Sequence, residues 1–129
     1  MREYENTAII YDFPVFMADC IFCKIIARQI PSQFVYEDEQ AVAFNDITPQ
    51  APTHLLIVPK KHVAGLSACG DGDQALLGHL QRVAAAVAEK AGVASGYRLL
   101  TNNGRSAGQS VDHLHYHLLG GRSMQWPPG

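Results

Sequence analysis

The chain has few of the features that direct a protein to a membrane or to nucleic acid. No apolar run approaches the ~20 residues that span a bilayer. The formal net charge is only −2, which gives no general attraction to nucleic acid or to an anionic membrane. The start of the chain lacks the basic head, long apolar stretch and cleavage pattern of a signal peptide. We therefore expect a cytoplasmic protein that binds neither nucleic acid nor membrane, and any bound phosphate must be held by local donors.

Cysteine is also scarce. The three cysteines cannot form a closed set of disulfides, which is consistent with a reducing compartment. The length of 129 residues, with 47% hydrophobic and 17% charged residues, is typical of one ordinary globular domain.

The first sixteen residues show no clear periodicity. A second methionine, Met17, then opens the segment MADCIFCKII, which suggests that residues 1–16 are an upstream extension that is not native. The alternative is an ordinary N-terminal strand, because TAIIYDFPVF contains residues that favour β structure. We take residues 1–16 as the extension and expect residues 17–129 to form the single domain.

The remaining pattern predicts an α+β fold. IFCKIIARQI has helical spacing up to Pro31, and residues 73–91 carry a longer apolar stripe at helical spacing that ends before Gly92. The apolar segment that contains His54 predicts a central strand, because both of its faces are apolar. Short turns between strands predict an antiparallel sheet. The strand segments are FVYED, AVAFND, THLLIVPKK, GYRLLTNN and HLHYHLLGG.

Three histidines occupy alternate positions in DHLHYHLLGG. In a strand, His113, His115 and His117 share one face, while the intervening apolar residues take the other. A neutral imidazole is a good nucleophile near pH 7, so this pattern favours phosphate chemistry, with one histidine attacking and another donating to an oxygen. A metal site and surface histidines without a task are the alternatives.

The loop before the histidines is rich in small and amide-bearing residues. In such a stretch, several N–H groups can point toward one bound anion. A plain hairpin turn would have a similar composition. The candidate residues are Asn102, Asn103, Gly108, Gln109 and Ser110.

Cys20 and Cys23 form a C-x2-C pair at the start of the first helix. This spacing lets two thiolates reach one Zn²⁺, which needs four ligands to close a structural site. A redox pair and two unrelated core cysteines are the alternatives.

Several segments of the chain carry a resemblance to a known family. They are IFCKIIARQIPS, VYEDEQAVAFNDITPQAPTHLLIVPKKH, GYRLLTNNGRSAGQSV, GQSVDHLHYHLLGGR and the MQWPPG ending. These segments cover nearly everything from residue 20 to 129, and they resemble the histidine triad (HIT) superfamily. The ending GGRSMQWPPG is similar to the Hint branch, the histidine triad nucleotide-binding proteins, rather than the Fhit branch. The resemblance implies a HIT-like fold, with a five-stranded antiparallel sheet, one long and one short helix, and two sheets joined across a homodimer. The apolar HLLIVP and GYRLLT runs fit an edge that is not left open.

The resemblance also implies roles for individual residues. His115 would be the nucleophile, His117 would hold the α-phosphate, and His54 would belong to the hydrogen-bonding group around them. Ser110 would lie near the leaving group, and amides around residues 108–110 would help to bind phosphate. Asp46 resembles the ribose-binding acid, although a carboxylate there also fits a turn cap. The nucleotide site is completed by Asn102 as a brace and by Phe22, Phe44 and Ile47 as the purine pocket.

The implied activity is hydrolysis of purine nucleoside phosphoramidates to a nucleoside monophosphate and an amine. The alternatives are hydrolysis of dinucleoside polyphosphates or adenylated adducts at the same site, and a nucleotide-binding scaffold protein with incidental catalysis. Zinc-containing relatives imply a structural Zn²⁺ held by Cys20, Cys23, His62 and His113.

Overall fold

A computed structural model describes residues 17–129. The predicted 1–16 extension lies outside the described residues. Five antiparallel strands form one sheet in the order β1-β2-β3-β5-β4, and the predicted α+β architecture is confirmed. The strands are β1 (Phe34–Glu37), β2 (Ala41–Asn45), β3 (Thr53–Pro59), β4 (Tyr97–Leu100) and β5 (Tyr116–Gly120).

The predicted central position of the apolar strand is confirmed, since β3 pairs with β2 on one side and β5 on the other. The edges of the sheet are β1 and β4. Of the two runs expected at an edge, only the one in β4 lies there, and placing HLLIVP at an edge was wrong. Apolar residues on both faces of a strand indicate a covered, central position rather than an edge.

The helix α1 (Ile21–Ile26) is shorter than the sequence predicts. It ends before Pro31 because Arg28 adopts a left-handed conformation with φ 62°, and the N–H of Gln29 bonds back to the Lys24 carbonyl at 2.8 Å. This pattern satisfies the last helical carbonyls and turns the chain. The turn directs the chain from α1 into β1.

The helix α2 (Gln74–Lys90) matches the predicted long helix closely. Gly92, with φ 80°, follows its end as expected for a helix stop. The buried stripe of α2, which includes Leu80, Val83 and Val87, belongs to one core cluster with Leu55 and Ile57 of β3. Alternate residues of β3 therefore face α2.

The other face of the sheet packs against α1. Phe22 and Ile25 of α1 form a second cluster with Phe44 of β2 and with Leu56 and Val58 of β3. Side chains of this second face, which includes His54, are therefore brought to α1. No helix among residues 17–129 is long and apolar enough to cross a membrane.

Asp38 organises the turn between β1 and β2. Its carboxylate accepts hydrogen bonds from Tyr36 Oη at 2.7 Å and from the backbone of Gln40 and Ala41 at 2.7 and 2.8 Å. His79 Nε2 of α2 lies 2.6 Å from the same carboxylate. This contact ties the hairpin to the long helix, away from the histidine face of the sheet.

Candidate active site

The three alternating histidines lie partly outside the strand that the spacing predicts. β5 begins at Tyr116, so only His117 is within it. The last pair of the β3–β5 ladder is Ile57 with Tyr116, and Leu114 N–H bonds instead to Val63 O at 2.7 Å. The alternation nevertheless persists, because Leu114 and Tyr116 lie in the α2 core while the histidines face the other side.

The ring of His115 is held as a neutral imidazole with a fixed tautomer. Its Nδ1 lies 2.7 Å from the carbonyl oxygen of His113, and a carbonyl only accepts, so Nδ1 carries the hydrogen. The lone pair is then on Nε2. Burial lowers the pKa of His115 below its ordinary 6.5, so the imidazole is neutral at neutral pH and can attack an electrophile.

A chain of hydrogen bonds fixes His117 as a donor. The backbone N–H of Gln50 donates to His54 Nδ1 at 3.0 Å, which leaves the hydrogen of a neutral His54 on Nε2. That nitrogen lies 2.9 Å from His117 Nδ1, so the neutral ring of His117 carries its hydrogen on Nε2. Burial lowers the pKa of His117 to about 4, and the neighbouring His115 and His54 act in the same direction. At neutral pH, His117 is thus a neutral N–H donor.

Asp46 caps a turn, and its position is also compatible with the other role that the sequence left open. One carboxylate oxygen accepts the Thr48 N–H at 2.8 Å and caps the turn. The other lies 3.4 Å from His54 Nε2. Asp46 also lines the cavity in front of the histidines, where a carboxylate can accept hydrogen bonds from ligand hydroxyls.

A cavity of about 380 Å³ lies between α1 and the sheet. The ring of Phe22 makes edge contacts with Phe44 at 5.8 Å and with His115 at 5.0 Å between centroids. Ile47 is 98% exposed at the cavity rim. The cavity brings together seven of the predicted site residues, Phe22, Phe44, Asp46, Ile47, Ser110, His115 and His117.

Sequence reasoning missed part of this wall. Ile25, Ile30, Pro31 and Ser32 also line the cavity. Ile25 lies on α1 and the other three lie on the turn that follows it, of which the sequence assigned the part before Pro31 to the helix. Pro31 signals only that the chain leaves the helix, and no local signal shows that the turn then approaches the sheet.

The structure does not place all of the predicted loop residues on the cavity wall. Ser110 lines the cavity, whereas Asn102, Gly108 and Gln109 are not among its lining residues. A 3₁₀ turn at Arg105–Ala107 draws the amides inward, since Gly108 N–H bonds to Arg105 O and Gln109 N–H to Gly104 O at 3.0 and 3.1 Å. These two amides therefore stabilise the loop itself.

The predicted metal ligands converge behind the histidines. His113 Nδ1 lies 3.3 Å from Cys20 Sγ and 3.7 Å from Cys23 Sγ. His62 Nδ1 lies 3.3 Å from Cys23 Sγ and 3.1 Å from His113 Nδ1. A tetrahedral zinc ion with ordinary bond lengths separates two nitrogens by about 3.3 Å and a nitrogen from a sulfur by about 3.6 Å. The four ligand atoms fit one zinc ion in spacing and in chemistry.

The protonation of this cluster also suits a cation. His113 Nε2 lies 2.8 Å from the carbonyl oxygen of Pro59, which places the hydrogen there and turns the Nδ1 lone pair toward the cluster. Burial lowers the pKa of His113 to about 4 and raises that of Cys23 to about 11. The imidazole is therefore a neutral ligand already, while the Cys23 thiol must lose a proton to coordinate.

A second group of possible ligands lies in the cavity. The polar atoms of Asp46, His54 and His117 are all within 4.8 Å of one another. The Gln50 N–H on His54 Nδ1 places a hydrogen on Nε2, the nitrogen that faces the other two residues. This hydrogen opposes metal coordination and favours a hydrogen-bonding role.

The fold and the cavity define a small α+β protein with a histidine-lined site on one face of its sheet. Residues 27–124 match the HIT domain, and the chain belongs to the HIT family. It is 52% identical over 111 residues to an uncharacterised HIT-like protein of Synechococcus elongatus, covering 86% of this chain and 97% of that one.

Solved structures share the fold. The crystal structure of a HIT family hydrolase from Legionella pneumophila is 50% identical, with a TM-score of 0.84, covering 86% of this chain and all of that one. A histidine triad nucleotide-binding protein from Candida albicans is 37% identical, with a TM-score of 0.73, over 84% of this chain and 83% of the other.

Proposed function

We propose that the chain is a purine nucleoside phosphoramidase of the Hint branch, acting through a nucleotidyl-histidine intermediate. The observation that carries this proposal is the protonation of His115. A buried neutral imidazole, with its Nδ1 hydrogen held by the His113 carbonyl at 2.7 Å, presents its Nε2 lone pair as a nucleophile. Membership of a family with solved members called hydrolases and nucleotide-binding proteins supports it.

The first step exchanges one bond to phosphorus for another. His115 Nε2 attacks the phosphorus and the P–N bond breaks, while the departing nitrogen takes up one proton from the solvent and leaves as the neutral amine. The Nε2–H of His117 donates to a non-bridging phosphate oxygen as negative charge develops. The Ser110 hydroxyl, on the same cavity wall, lies near the leaving group and assists its departure.

The second step returns the enzyme to its starting state. Water attacks the phosphorus and the bond to His115 breaks, returning its electron pair to Nε2. One proton of the water stays on the nucleoside monophosphate, and the other returns to the solvent and balances the proton taken up in the first step. The nucleoside is held by Asp46 on the ribose and by the Phe22, Phe44 and Ile47 side chains on the purine. We assign a supporting role to three residues that do not line the cavity, Asn102, Gly108 and Gln109.

Mass spectrometry of protein mixed with an adenosine phosphoramidate tests the chemistry. A transient added mass of one adenosine monophosphate on His115 is expected. A dinucleoside polyphosphate supplies the comparison substrate. A higher kcat/KM for that compound than for the phosphoramidate would overturn the substrate assignment while leaving the nucleophile in place.

We also propose that Cys20, Cys23, His62 and His113 hold a structural Zn²⁺. This ion would stabilise the packing of α1 against the segment before β5. It would act on the chemical step only indirectly, because His113 is both a ligand and the residue whose carbonyl orients His115.

The assembly and location of the protein are proposals of the same kind. We propose a two-fold homodimer in the cytoplasm, with the edge strand β4 as part of the joint between the two sheets. Sedimentation at micromolar protein should give twice the mass of one chain. A mass of one chain would contradict the dimer.

A further inference from the structure

Gln109 connects three separate segments around the site. Its side chain is buried, at 6% exposure. Its Oε1 accepts the N–H of Gly104 at 2.8 Å. Its Nε2 donates to the carbonyl oxygens of Ala64 and Val111 at 2.7 and 3.0 Å. One amide thus holds the loop before the histidines against the segment that follows β3.

These partners fix the orientation of the amide and use all of its donors. Two backbone carbonyls can only accept, so they must face the NH2 group, and the N–H of Gly104 must face the oxygen. The backbone N–H of Gln109 also bonds within the loop, to Gly104 O at 3.1 Å. Gln109 therefore has no N–H left to offer a phosphate.

Ser110 is the next residue, and it lines the cavity with His115 and His117. Val111, whose carbonyl Gln109 holds, follows it. The hydrogen bonds of the Gln109 side chain therefore hold both chain neighbours of Ser110, which are Gln109 itself and Val111. Anchoring of both neighbours restricts the backbone of Ser110 and therefore limits where its hydroxyl can lie.

We propose that Gln109 is a positioning residue, which fixes the Ser110 hydroxyl at the cavity wall and does not itself contact the nucleotide. This inference rests on the proposed function, because Ser110 must act on the phosphate or on the leaving group. Misplacement of such a group by about 1 Å can cost a factor of ~100 in rate.

A substitution at Gly65 would disturb the same Gln109 side chain in an independent way. A Cβ at this position would lie 3.0 Å from Asn103 Oδ1 and 3.3 Å from Gln109 Oε1. Its own backbone is extended, with φ −177°, which alanine also adopts. Both oxygens are held, by Ser67 N–H at 2.8 Å and by Gly104 N–H at 2.8 Å, so Gly65→Ala should push the Gln109 amide without touching the cavity.

A double-mutant cycle between positions 109 and 110 tests the inference. Gln109→Glu has the same shape but presents an oxygen to the Ala64 and Val111 carbonyls. We expect it to lower kcat/KM for an adenosine phosphoramidate by roughly 10–100-fold in the parent, and by less than about threefold when Ser110 is already alanine. The affinity for AMP, measured by calorimetry in the same four proteins, should show the same coupling if Ser110 contacts the phosphate.

Gly65→Ala should show the same coupling to Ser110→Ala, and it tests the inference even if Gln109→Glu fails to fold. Asp38→Asn is the matched control, because it weakens a hydrogen-bond network far from the cavity and should act equally in both backgrounds. Equal losses for Gln109→Glu or Gly65→Ala with and without Ser110 would overturn the inference.

Failure of the proposed function gives a different result. If the parent protein neither cleaves the phosphoramidate nor binds AMP, both proposals are overturned. If the parent is active, His115→Asn is inactive and Ser110→Ala has full activity, only the inference about Gln109 is overturned.

Discussion

Zinc binding should release protons, and their number reports how many thiols become ligands. The possible metal cluster of Cys20, Cys23, His62 and His113 contains two imidazole nitrogens and two cysteine sulfurs. The hydrogen of His113 is on Nε2, against Pro59 O, so this ring contributes no proton. Burial also lowers the pKa of His62 below its ordinary 6.5, so protons released near neutral pH should come mainly from Cys20 and Cys23.

The structure gives a magnitude for one of the two thiols. Burial raises the pKa of Cys23 to about 11, so its deprotonation at pH 7 costs about 5 kcal/mol, at 1.36 kcal/mol per pKa unit. The binding energy of zinc must exceed this cost. Because the cost falls as the pH rises, Cys23 alone should make the apparent zinc affinity increase about tenfold per pH unit above pH 7.

Calorimetric titration of metal-free protein with zinc chloride measures both quantities. Two buffers with different ionisation enthalpies give the number of protons released, and a series from pH 6.5 to 8.5 gives the slope of affinity. We expect one zinc per chain, close to two protons at pH 7 and a higher melting temperature for the zinc form. Cys23→Ser should lose most of the zinc, whereas Cys69→Ser, whose sulfur lies outside the cluster against Gly65 O, should not.

Two results would refute this reasoning. One is stoichiometric zinc binding without proton release, which would mean that the thiols are not ligands. The other is a metal-free protein with the melting temperature and activity of the zinc form. In that case the four converging side chains would simply be core residues.

Three further predictions concern the nucleotide site. His115→Asn should abolish turnover of an adenosine phosphoramidate while AMP binding stays measurable by calorimetry, and parental turnover would remove His115 as the nucleophile. Asp46→Asn should weaken AMP by roughly 1.5–3 kcal/mol, the value of a charge-assisted hydrogen bond, and should weaken dAMP less, whereas equal losses would remove Asp46 from the ribose site. Burial lowers the pKa of His115 below 6.5, and its neutral form is the nucleophile, so kcat/KM should fall on the acid side only below pH 6.5. An acid limb centred above that value in a pH–rate profile would contradict this.

Much of the architecture could be predicted from local patterns. The apolar stripe before Gly92 predicts α2 to within one residue at each end, because the spacing of buried residues along a helix is a property of the segment itself. Local patterns also predict the existence of the five strands and the central position of β3, although β4 and β5 are shorter than predicted. The alternation of His113, His115 and His117 determined which side chains face the core and which face the site.

Local patterns failed where the chain left its regular element. The end of α1 depends on a left-handed residue at Arg28, and an arginine gives no sequence signal for that conformation. The start of β5 depends on where pairing with β3 stops, at Ile57 with Tyr116. Gln109 was expected to help bind phosphate, but its donors are taken by carbonyls from other segments.

The sequence alone therefore predicted which residues could carry the chemistry, since imidazoles, thiols and carboxylates have their reactivity wherever they lie. Only the tertiary structure determined the tautomer of each histidine, and with it which ring nitrogen donates a hydrogen bond. His113 presents Nδ1 because Pro59, 54 positions away, accepts from Nε2, and His117 becomes a donor because His54, 63 positions away, faces its Nδ1. A tautomer is set by the partner of the ring, and the chain brings that partner into contact only when it folds.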